Sequence, residues 1–156
     1  MKAEHINPFI ESTLSVFETM LGIKPKKKSV GLKKGDEPSY DISGVIGLTG
    51  QAVGSVVVSF PESLALKVVS KFIGEEKVDI DDDVIDAVGE LINMIAGGAK
   101  KIFTDRGLKF KISIPNVITG KGHKIKRPSN VPCIAVFFEI DGEIFAIEVS
   151  LKENNQ

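Results

Sequence analysis

Between Val84 and Thr104 the sequence carries one long amphipathic pattern, which constrains the fold more than any other segment. Ile85, Val88, Ile92, Ile95, Ala99 and Ile102 recur at steps of three and four, building a continuous apolar stripe on an α-helix. A helix with one such stripe must bury it against a second layer. The acidic approach Asp79 to Asp83 complements the positive end of its dipole, and Lys100, Lys101 and Arg106 complement the other.

The rest of the chain supplies that layer. Asn7 to Leu21 reads as a first helix, with Asn7 as N-cap, Pro8 as the first helical residue and Gly22 as the stop. Lys24 to Lys34 has the alternation of an edge strand, and lysines discourage further pairing along an exposed edge. Tyr40 to Leu48 and Ala52 to Phe60 read as strands joined by a tight turn at Thr49-Gly50. The continuous Val56-Val57-Val58 run suggests a central strand. Pro61 to Ile73 is a second helix stopped by Gly74. Lys109 to Thr119 has strand character broken by Pro115, and a basic loop, Gly120 to Asn130, follows. Val131 to Ile140 and Glu143 to Leu151 close the chain as a hairpin around Asp141-Gly142. The predicted fold class is α+β: a mixed or antiparallel sheet with three helices packed on one face.

With 156 residues, 42% of them apolar, the chain suits one domain with a real core, expected to span 1–156. Twenty basic and 21 acidic residues leave a net charge of −1, which argues against a nucleic-acid partner. No apolar run approaches the roughly 20 residues a membrane helix needs, so no membrane partner is expected. Met1 to Ile10 lacks an uninterrupted apolar signal core, so the expected location is the cytoplasm. Cys133 stands alone in an apolar run and reads as a small buried hydrophobe. With His5 and His123 far apart, no metal site is expected. Glycines 44, 47, 50 and 54 match no phosphate-loop pattern and read as hairpin glycines.

The third helix has a second line. Asp86, Glu90, Asn93 and Gly97 also fall at steps of four, three and four, roughly 150° from the apolar stripe. Two carboxylates, an amide and a bare stretch of backbone thus share the solvent side. Asn costs about 0.6 kcal/mol and Gly about 1 kcal/mol against Ala in a helix interior. Glu90 has Met94 rather than a lysine four residues on. Local rules are broken most often at functional sites. The bland alternative is a solvated face with a small residue where another helix crosses, and spacing alone leaves both open. No nucleophile–base set is present. Asn93 cannot act as a base, but its amide donates and accepts hydrogen bonds and could hold a water in line with phosphorus.

Asp86, Glu90 and Asn93, with Pro115 at 22 positions beyond Asn93, resemble the signature of the CheC/CheX/FliY phosphatases of bacterial chemotaxis. A chance match of the four positions is on the order of a few in a thousand. Gly89 to Met94, Ile6 to Ile10, Gly47 to Gly50 and Ala65 to Ser70 extend the resemblance over nearly the whole chain. One complete site points to the CheX-like branch, whose members pair as dimers. The resemblance implies a phosphatase acting on the phosphorylated aspartate of a CheY-like response regulator. Asn93 would align the hydrolytic water and Glu90 would ion-pair with the receiver's lysine. Asp86 and Gly97 would support the helix face, and Pro115 would shape the segment beside it. The chain itself would hold no cofactor; Mg²⁺ would sit in the receiver. The basic loop Lys121 to Arg127 reads as solvated, or else as an aid to docking. The alternative function is a non-catalytic receiver-binding or flagellar-switch-type module; an unrelated α+β dimer with a structural role is the other.

Overall fold

The computed structural model describes residues 3–34, 37–127 and 130–154. The elements, in chain order, are α1 (Ala3–Val16), β1 (Lys26–Lys33), β2 (Ile42–Gly50), β3 (Ala52–Phe60), α2 (Glu62–Ile73), α3 (Asp82–Asp105), β4 (Phe110–Ile112), β5 (Asn116–Thr119), β6 (Cys133–Ile140) and β7 (Glu143–Glu153). A π-helical turn, Phe17–Leu21, continues α1. The strands form one sheet in the order β1-β6-β7-β3-β2-β4, with β5 also pairing β2. Every pairing among the described residues is antiparallel.

Period-two alternation decides which side of the sheet is apolar. Val56, Val58, Phe145, Ile147, Val149, Val136 and Phe138 belong to the buried cluster that also takes in Val88, Ile92, Ile95 and Ala99 of the α3 stripe, with Ile85 packed against it. Phe17 stacks on Phe145 at 4.9 Å between ring centroids, and Phe145 on Phe138 at 5.2 Å. Such pairs contribute about 0.5–1.5 kcal/mol beyond the area they bury. At the far end of β6, Asp141 and Gly142 take φ of 50° and 82°. These left-handed values make the two-residue turn that the Asp-Gly pair signals.

Two sequence expectations are corrected. Helix α1 begins at Ala3, not after Asn7, so Pro8 lies inside it. Ile6 is 6% exposed, and burying a side chain of this size contributes roughly 1.5–3 kcal/mol, which favours winding the earlier residues into the helix. The turn between β2 and β3 is not a tight one at Thr49-Gly50. The two strands pair with each other only as far as Leu48↔Gly54. Beyond that, Thr49 and Gly50 pair with β4, and Ala52 and Val53 with β7. At the turn itself, Gln51 donates its backbone amide to the Lys109 carbonyl at 3.0 Å and its carbonyl accepts from the Asn154 amide at 2.8 Å, so the outer segments satisfy the backbone groups a tight turn would have paired.

Candidate functional site

Helix α3 starts where Asp81 caps it, its carboxylate accepting from the Val84 amide at 3.0 Å. Lys77 reaches Asp81 at 2.6 Å and, with the Val84 amide, holds that carboxyl below its ordinary range. Two close approaches and one ordinary contact then fix the helix. A Cβ at Gly44 of β2 would sit 2.8 Å from Ile92 Cγ2, so the sheet meets α3 almost backbone to side chain. A Cβ at Gly98 would lie 2.3 Å from Ser12 Oγ, which donates to the Ile95 carbonyl at 2.7 Å and ties α1 to α3. A Cβ at Gly89 would lie 3.4 Å from Val117 Cγ2 and 3.7 Å from Pro115 Cγ.

These contacts leave one side of α3 open. Asp86 and Glu90 are exposed, and Asn93 and Gly97 are half-buried. A Cβ at Gly97 would meet nothing within 4 Å. Among the described residues, the Asp86, Glu90 and Asn93 side chains have no hydrogen-bond or ion-pair partner. The structure thus separates the two neighbouring glycines. Gly98 is the small residue at a helix crossing, whereas Gly97 is open backbone on the polar line. Pro115 is brought to the same region, against Gly89 and so next to Glu90 in the chain.

A model of the chemotaxis phosphatase CheX matches residues 42–139. The chain is 35% identical to the CheY-P phosphatase CheX of Thermotoga maritima, over 97% of this chain and 98% of that protein. This chain belongs to the CheX family of chemotaxis phosphatases. It superposes with a TM-score of 0.91 on a CheC-like superfamily protein from Shewanella sp. PV-4, at 38% identity over 97% of this chain and 99% of that one. It is also similar to the CheX of Borrelia burgdorferi, solved in a CheX-CheY-BeF3-Mg²⁺ complex: TM-score 0.84 at 29% identity, over 97% of this chain and 100% of that one. As a CheX-family fold, it is the predicted arrangement of three helices on an antiparallel sheet.

Elsewhere the CheX-family chain departs from its sequence reading. The basic loop Lys121 to Arg127, which reads from sequence as solvated or as an aid to docking, does not leave Arg127 in solvent. Its side chain is 4% exposed and pairs with Glu148, itself buried to 2%. Lys33, read as an edge lysine, also turns inward and reaches Glu148 at 2.7 Å and Ser39 at 3.0 Å. The one signal for this cluster was a lone charge, Glu148, between Ile147 and Val149 in an apolar strand. In the same loop, His123 Nε2 lies 2.7 Å from Ser43 Oγ on β2. Much of the loop is therefore tied to the sheet, although its Pro128 and Ser129 lie outside the described residues. Cys133 is 4% exposed, and burial pushes its thiol up, away from the thiolate a nucleophile needs. Among the described residues no three His, Cys, Asp or Glu side chains converge as a metal site would, and no helix is long and apolar enough to cross a membrane.

Proposed function

We propose that this chain hydrolyses the aspartyl phosphate of a CheY-like receiver domain, working in the cytoplasm and inserting the open face of α3 into the receiver's active site. The observation that carries the reading is the line Asp86, Glu90 and Asn93, without partners among the described residues and ending on open backbone at Gly97. Polar side chains that satisfy nothing within their own fold are available to another molecule.

Asn93 is the catalytic residue of this reading. Its amide donates to and accepts from one water and holds it in line with phosphorus. The water oxygen bonds to phosphorus as the bond from phosphorus to the aspartyl oxygen breaks. Inorganic phosphate and a free carboxylate result; both protons of the water leave with the phosphate, and Asn93 takes none. Phosphoryl transfer of this kind depends on positioning and electrostatics. Glu90 pairs with the receiver's active-site lysine and sets the docking register. Asp86 orients the helix face, and Pro115 braces α3 at Gly89. Mg²⁺ belongs to the receiver, and this chain contributes no ligand to it. A homodimer is part of the same reading; a monomer mass by light scattering across the micromolar range would count against it.

The test is phosphate release from a receiver phosphorylated with acetyl phosphate in Mg²⁺, comparing wild type with Asn93→Ala. Wild type should far outpace the receiver's own decay. Asn93→Ala should lose roughly a hundredfold or more, as when an aligned polar group is removed from an active site. A wild type that binds the receiver without accelerating decay would favour a binding module instead.

A further inference from the structure

Strands β4 and β5 both pair with β2, and their registers do not match. Leu48 faces Ile112 and Val45 faces Asn116, so three steps on β2 lie opposite four on the other side. One extra residue is inserted between Ser113 and Pro115: a β-bulge. The bulge is well held. Ser113 N donates to the Gly47 carbonyl at 2.9 Å, and Gly47 N donates to Ser113 Oγ at 2.9 Å. The serine hydroxyl takes the place of a ladder carbonyl, and in turn donates to the Ile114 carbonyl at 2.9 Å. Pro115 has no N–H to leave unpaired.

This construction turns one apolar side chain outward. Ile114 is 81% exposed, more than any other large hydrophobic side chain among the described residues. A single exposed isoleucine is ordinarily unremarked. Here its position matters. The next residue, Pro115, packs at Gly89, which lies in α3 immediately before Glu90 and three residues after Asp86. Gly89 lies roughly 70° around the helix from the mean direction of the polar line. The bulge therefore lies on one side of that line, and Ile114 is its exposed residue, next to Pro115 in the chain.

We propose that Ile114 is an apolar anchor for the receiver, seated beside the active site that α3 enters. The inference rests on the phosphatase reading and names a further contact for the same partner. An apolar contact remote from phosphorus is made equally in the bound complex and in the transition state. It lowers KM and leaves kcat alone, whereas Asn93 acts on kcat.

The experiment measures phosphate release against receiver concentration, with Mg²⁺, for wild type, Asn93→Ala, Ile114→Ser and Ile114→Leu. Ile114→Ser should raise KM about tenfold, as for an interface anchor, with kcat within about twofold. Ile114→Leu should recover most of the loss. Thermal stability and mass by light scattering should not move. An unchanged KM in Ile114→Ser, with wild type active and Asn93→Ala inactive, overturns this inference and leaves the phosphatase reading standing. A change of mass in Ile114→Ser assigns the residue to subunit pairing and also overturns it. A wild type that neither hydrolyses nor binds the receiver overturns both.

Discussion

Gly97 and Gly98 are adjacent in one helix, yet substituting each with alanine should have opposite effects. At Gly97 a Cβ meets nothing within 4 Å, so alanine brings only its helix propensity, about 1 kcal/mol of added stability. For a domain of this size that raises Tm by roughly 2–4 °C. At Gly98 the same Cβ would sit 2.3 Å from Ser12 Oγ and 3.3 Å from Ser12 Cβ. Ser12 is 3% exposed, and its hydroxyl bonds the Ile95 carbonyl. Forcing it aside costs about 1–3 kcal/mol of overpacking and about 1 kcal/mol of hydrogen bonding. The recovered propensity offsets about 1 kcal/mol. Gly98→Ala should therefore lose about 1–3 kcal/mol net. Urea denaturation of both variants measures the difference directly. Equal stabilities would refute the claim that α1 crosses α3 at Gly98. Gly97 also carries a functional expectation. Gly97→Leu should fold normally but lose phosphatase activity, because the side chain occupies the space in which a receiver would dock. Wild-type kcat/KM in Gly97→Leu would remove Gly97 from the docking line.

Three further outcomes are expected. Glu90→Ala should weaken receiver binding at least severalfold with little change in Tm, since Glu90 is exposed and has no partner among the described residues; calorimetry showing unchanged affinity would reject the ion pair. Glu148→Gln should cost about 3–5 kcal/mol by urea unfolding, because it strands Lys33 and Arg127 as buried cations; a cost under about 1 kcal/mol would mean the cluster tolerates open charge. Glu143 is held below its ordinary carboxylate range, first by its hydrogen bond from Lys67 and then by Ser63. A depressed folded pKa gives stability that is present above the unfolded pKa and lost as pH falls through the folded one. Lys67→Met should therefore flatten the dependence of Tm on pH below about 4.5, and parallel curves for wild type and variant would refute the pairing.

The elements legible in advance were those whose signal is local. The α3 stripe, the Asp141-Gly142 turn, the interruption at Pro115 and the glycine stops of the first two helices depend on periodicity, backbone freedom and a missing N–H. Each acts over a few residues. The start of α1 is not set locally, because capping preference at Asn7 is worth about 1 kcal/mol, less than the burial of Ile6 contributes. The end of the β2–β3 hairpin is not local either, because Gln51 bonds to Lys109 and Asn154, both distant in sequence.

The spacing of Asp86, Glu90, Asn93 and Gly97 placed them on one helix face without any tertiary information, because 3.6 residues per turn is a property of the backbone. Whether that face was free or covered was not written in the spacing. It was decided when Gly44 and Gly98 let the sheet and α1 approach, and when the Pro115 segment packed at Gly89, covering the other sides of the helix. Charge followed the same division. The lysines and arginines could be counted from the sequence, but only folding brought Lys33 and Arg127 onto Glu148 from opposite ends of the chain. Helical phase is a local quantity. Burial, and the pairing it compels, depends on which distant segments arrive at the same place.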